Sequence, residues 1–117
     1  MKLISQLTAK EKRQIREGVV PVLEKARVLQ IVGCKDQEQE LFCKYVLSAV
    51  ERLPEKERLL IEERYLNPNA EEVKDFQVYE FLFEPPISHV SYYKIRDRAM
   101  LKLSLALNVD TGVNIYL

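Results

Sequence analysis

A chain of 117 residues with 47% hydrophobic and 31% charged residues can bury a modest core, which excludes a disordered tract. No apolar run approaches the ~18 residues that cross a bilayer. The start, Met1-Lys2-Leu3-Ile4-Ser5-Gln6-Leu7, lacks the long apolar stretch of a signal peptide, so a cytoplasmic protein with no membrane contact is expected.

Basic and acidic residues number 18 each, a net charge of zero, but they are unevenly spread. Residues 1–53 carry ten basic and seven acidic groups, residues 54–86 four and nine, and residues 87–117 four and two. An acidic middle and a basic C-terminal piece allow a local positive face on a neutral chain.

Thr8-Ala9-Lys10-Glu11 has the spacing of a capping box, with Thr8 as the cap and Glu11 reaching back. Behind it Ile15, Val19, Val22, Ala26 and Leu29 alternate at four and three, an apolar stripe on one helix face. Pro21, with Gly18 just before it, predicts a kink or break into two helical pieces, and Gly33 an end. Cys34 and Cys43 are the only cysteines; nine apart with no His near, they have no zinc spacing and read as buried, inert thiols.

Asp36 opens a second helix, whose predicted buried face is Phe42, Tyr45, Val46, Ala49, Val50 and Leu53. Pro54 suits a first helical turn, the acids that follow favour a helix start, and Leu59, Leu60, Ile61, Tyr65 and Leu66 supply apolar contacts. Asn67-Pro68-Asn69 stops that helix. Asp75 is the expected cap of a short helix carrying Phe76, Val78, Tyr79, Phe81 and Leu82, ended by Glu84-Pro85-Pro86. Ser88 caps a last helix running to about 108. Val113, Ile115 and Leu117 alternate, but the run is too short for a sheet. The expected fold is all-α: an N-terminal segment, 1–35, for oligomerisation or partner contact; a helical domain, 36–109, with a helix-turn-helix at 75–108; and a tail, 110–117.

A short helix, a tight turn and a long helix with a polar first half is the helix-turn-helix order, whose second helix enters the major groove. At ~100° per residue, Tyr92, Ile95, Ala99, Leu103 and Ala106 share one side of the last helix, predicted to pack on the 76–82 and 59–66 helices. Ser91, Lys94, Asp97 and Arg98 fall opposite with Val90, flanked by His89 and Tyr93. The Ser, Lys, His and Tyr side chains among them can donate to base edges or phosphates, and Val90 can touch a thymine methyl. Arg98 and Lys102 are placed to hold phosphates, as are the free amides at the Ser88 end. Arg96 lies near the core boundary, where an ion pair with the acidic middle competes with a DNA contact. Double-stranded DNA is the partner expected at Ser88, His89, Val90, Ser91, Tyr93, Lys94, Asp97, Arg98 and Lys102.

The stretch Ile87-Ser88-His89-Val90-Ser91-Tyr92-Tyr93-Lys94-Ile95-Arg96-Asp97-Arg98-Ala99-Met100-Leu101-Lys102-Leu103 resembles the second half of region 4 of bacterial sigma factors. Leu53-Pro54-Glu55-Lys56-Glu57-Arg58 and Glu63-Arg64-Tyr65-Leu66 resemble its opening helix. With Ala106-Leu107-Asn108-Val109, the chain is similar to the ArpU family of phage and prophage late transcriptional regulators. The resemblance spans residues 45–109. It implies a sigma region 4-like helix-turn-helix, a promoter-binding regulator, and RNA polymerase as a second partner. It places base reading at His89, Val90, Tyr93 and Lys94, although sigma factors usually carry Arg and Glu where this chain has His89 and Val90.

Leu101 and Leu105 lie on the side of Lys94, which leaves the last helix apolar on two faces. Either the N-terminal helices cover the second face or a second chain does, and a homodimer reading two half-sites is the second expectation. An interaction module docking on polymerase or another phage factor, or a DNA-packaging helper, is the alternative function. No enzyme, cofactor, metal or small-molecule substrate is expected. The pairs Glu62-Glu63 and Glu71-Glu72 are adjacent and do not face each other, and His89 has no catalytic partners in view.

Overall fold

Thr8 caps the first helix as its spacing predicts. Its hydroxyl accepts from the Glu11 N–H at 3.1 Å, and the Glu11 carboxylate accepts from the Thr8 N–H at 3.0 Å. The computed structural model describes residues 4–115, so Leu117 of the alternating tail lies outside the described residues. Helix α1 runs unbroken over Ala9–Val32. The break expected at Pro21 does not occur. Pro21 sits on the exposed side, where water can satisfy the Glu17 carbonyl that loses its intrahelical donor. Ile15, Val19, Leu23 and Ala26 are buried along the opposite side.

Gly33 ends α1 with φ +88 and ψ 149, a conformation open essentially only to glycine. The turn leads to Asp36, whose carboxylate accepts from the Gln39 N–H at 2.9 Å and caps α2, Gln37–Glu51. Cys43, Val46, Ala49 and Val50 form the buried face of α2. Tyr45, expected in the core, is 48% exposed, because its hydroxyl reaches across to donate to the Ala106 carbonyl at 2.8 Å.

Pro54 stands one position before the first turn of α3, Glu55–Ile61, which continues as a wider π-helical turn over Glu62–Leu66. After a 3₁₀ turn at Ala70–Glu72 comes α4, Asp75–Gln77, again continued by a π turn, Val78–Leu82. Asp75 is not its cap. Lys74 holds that position, its N–H donating to Gln77 Oε1 at 2.8 Å, and the Asp75 carboxylate is engaged with Arg64 and Tyr92 instead. Ser88 caps α5, His89–Ala106, accepting from the Ser91 N–H at 3.1 Å.

Helices are the only regular elements among the described residues, so the expected all-α class holds. Helix α5 packs chiefly on α1 and α3, and α1 packs on α2. The shared core includes Val19, Leu23, Val46, Leu60, Ile61, Val78, Tyr92, Ala99 and Leu103, with ~1.5–3 kcal/mol gained per large apolar side chain removed from water. The bracing of α5 by the 75–82 segment is narrower than predicted. Tyr79 and Phe83 meet the Tyr92 ring at 5.3 and 6.5 Å, but Phe76, Phe81 and Leu82 point outward. Ala106, predicted to face inward, is exposed. Leu101 is buried within the chain itself, so its burial needs no second copy, and Leu105 stays 39% exposed.

Gly18 lets the chain after α5 return onto α1. A Cβ there would stand 3.1 Å from the Thr111 methyl and 3.5 Å from a Val109 methyl. No helix among the described residues is long and apolar enough to cross a membrane.

Candidate nucleic-acid interface

Helix α5 presents two faces, because its residues alternate between core and solvent at helical spacing. Tyr92, Ala99, Met100, Leu101, Leu103 and Ser104 are buried. Ser88, His89, Val90, Ser91, Lys94, Arg98 and Lys102 are exposed, while Tyr93 and Asp97 are half-buried. The predicted contact residues therefore sit on one helix, mostly facing water. His89 and Tyr93, one turn apart, bring their rings to 6.3 Å, and the Arg96 guanidinium lies 4.6 Å over the Tyr93 ring.

Two of the predicted residues carry other duties. Lys102 Nζ donates to Glu57 Oε2 at 2.9 Å, and Glu57 is a buried carboxylate on α3. Asp97 Oδ1 lies 3.5 Å from an Arg96 terminal nitrogen, an ion pair too long for a hydrogen bond. Among the described residues Arg96 thus pairs with its own neighbour, not with the acidic middle, and its Nε is buried without a hydrogen-bond partner.

Sequence reasoning about α5 missed the residues that face it from α1. The first half of α1 runs beside the first half of α5, and two adjoining clefts lie between them. One is lined by Ala9, Lys10, Lys12, Arg13 and Arg16 with Arg96 and Asp97. The other is lined by Ile4, Ser5 and Lys12 with Lys94, Asp97 and Arg98. Lys12 lines both, so the cations of the two helices form one surface. Arg13 has a long exposed pair with Glu17 at 4.0 Å. Among the described residues, no acidic side chain comes within ion-pair distance of Lys10, Lys12, Arg16, Lys94 or Arg98. The excess of Lys and Arg in residues 10–16 was a signal in the sequence; its placement beside residues 94–98 was not.

The orientation of α5 is set from beneath. The Tyr92 hydroxyl donates to Asp75 Oδ1 at 2.8 Å, and Arg64 Nε donates to the same oxygen at 2.9 Å. These groups come from α5, α4 and the end of the α3 turn, so one carboxylate ties three elements together. Burial, then the Asp75 bond, push the Tyr92 phenol well above its ordinary range, which keeps it a hydrogen-bond donor.

The arrangement offers cations, hydroxyls, the exposed His89 ring and the half-buried Tyr93 ring along one edge of α5. Among the described residues, no group of three or more His, Cys, Asp or Glu is placed to hold a metal ion. No protein-family model, curated protein or solved structure matches the chain.

Proposed function

We propose that the chain is a DNA-binding transcriptional regulator whose α5 enters the major groove while the first half of α1 grips the flanking phosphates. The observation that carries this reading is the joint cationic surface of Lys10, Lys12, Arg13 and Arg16 with Lys94, Arg96 and Arg98. Clustered cations on one face are the electrostatic footprint of a nucleic-acid binder, whatever the total charge. The exposed Ser91, Lys94, His89 and Val90 supply donors and an apolar contact for base edges. The order of α4, the 83–88 turn and α5 supports a helix-turn-helix of the sigma region 4 kind, and the ArpU resemblance supports a phage or prophage late-gene role in the cytoplasm.

The test is selection of random duplex DNA by the purified protein at physiological salt. An enriched motif, weakened by ~1–3 kcal/mol with Lys94→Ala, is expected. A palindromic motif would add the homodimer. No enrichment above background removes the reading.

A second reading, docking on RNA polymerase or another phage protein, is favoured by one observation. Phe76, Phe81 and Leu82 on the α4 segment are 46%, 69% and 42% exposed, three large apolar side chains left to solvent on one short segment. Salt-insensitive binding to polymerase, with no selected DNA motif, would decide for it.

A further inference from the structure

Cys34 and Cys43 are nine residues apart in the sequence, yet their sulfurs lie 3.9 Å apart. The turn at Gly33 brings them together: its positive φ reverses the chain after α1 so that Cys34 falls back over the second turn of α2, where Cys43 sits. Cys43 is buried, with Sγ also 3.9 Å from the Ala26 carbonyl, and Cys34 is half-exposed at the turn. A disulfide requires the sulfurs to close to about 2.05 Å, a travel of roughly two ångströms that side-chain rotation at a turn can supply.

We infer that Cys34 and Cys43 are a modification site, a thiol pair that an oxidant of the peroxide class converts to an intrachain disulfide bracing the α1–α2 turn. The half-exposed Cys34 thiolate attacks one peroxide oxygen. The O–O bond breaks, the leaving hydroxide takes a proton to become water, and Cys34 is left as a sulfenic acid. The Cys43 sulfur then attacks the Cys34 sulfur, the S–S bond forms, and the sulfenic hydroxyl leaves with the Cys43 proton as a second water. Two thiols are oxidised by two electrons and one peroxide is reduced to two waters. Cys43 is buried, and burial with the Cys34 contact raises its thiol, so the half-exposed Cys34 is the sulfur that meets the oxidant first.

Intact, reduced protein is titrated with hydrogen peroxide, and free thiols, mass and tryptic peptides are followed. Lys35 lies between the cysteines, so cleavage after Arg27, Lys35 and Lys44 puts them on separate peptides, 28–35 and 36–44. The expected result is joint loss of both thiols, a mass lower by two hydrogens, a single-chain species on a non-reducing gel, and the two peptides joined until dithiothreitol is added. Cys34→Ser, at the accessible turn position, folds with the same helix content and gives no joined peptides. Thiols that stay titratable, oxygen added to either sulfur without cross-linking, or cross-links between chains would each overturn the inference.

Discussion

The Tyr92 hydroxyl and the Asp75 carboxylate meet at 2.8 Å, on an oxygen that also accepts from Arg64. Tyr92 is fully buried, so its hydroxyl has no water to fall back on. Tyr92→Phe removes one donor but leaves the Arg64 contact, and a cost of ~1–2 kcal/mol is expected. The bond also fixes a pH dependence. The folded chain keeps the Tyr92 proton above the ordinary value of 10.0, where an unfolded chain releases it. The stabilisation is complete below that value and is lost as pH rises towards the folded one. Tyr65, raised mainly by burial, acts in the same direction. Urea midpoints should therefore fall between neutral pH and about pH 11, and fall less steeply in Tyr92→Phe.

If α1 grips phosphates, its cations act without regard to base sequence. Replacing Lys12 and Arg16 together by Ala should weaken binding to every duplex alike and lower the slope of log affinity against log salt by about 2. Lys94→Ala should instead blur the preferred motif. Binding isotherms at three salt concentrations on a selected and a scrambled duplex separate the two. An unchanged salt slope in the α1 variant would remove α1 from the interface.

Lys102 is expected to matter for stability more than for recognition. Lys102→Ala leaves Glu57, a buried carboxylate, without its partner. Lys102 is itself 44% exposed, which weakens the pair, so a loss of ~1–3 kcal/mol is expected, read by urea unfolding. Affinity per folded molecule should stay within about twofold of the parent, a difference too small for a lost phosphate contact.

Pro21 is tolerated, not required. Pro21→Ala returns an N–H to the Glu17 carbonyl and removes the ring from the helix interior. Stability should rise by ~1–3 kcal/mol, seen as a higher melting temperature. A fall would show that the ring makes a packing contact at the surface.

The local signals in the sequence were the readable ones. Thr8 with Glu11, Asp36 with Gln39, Gly33, and Ser88 act within a few residues, and each does in the structure what its spacing implied. Errors arose where a distant partner decides. Tyr45 leaves the core for the Ala106 carbonyl, 61 positions on. Asp75 gives up capping for Arg64 and Tyr92. Pro21 predicts a break, yet α1 carries it on the exposed side, where water reaches the orphaned Glu17 carbonyl, and which side a residue faces is not written in the residue itself. The α5 half of the candidate surface was legible from helical phase. The α1 half was not, since nothing local says that residues 10–16 lie beside residues 94–98.

That pairing of the first long helix with the last has a consequence for when the surface exists. Lys12 and Arg98 share a cleft only after α1 and α5 have docked on a common core. Neither an isolated α5 nor a collapsed chain with α1 astray carries the joined charge. The cationic surface is thus a reporter of chain closure. If duplex DNA binds this surface, as proposed, it will draw the folding equilibrium towards the fully closed state and so act on folding as well as probe the surface.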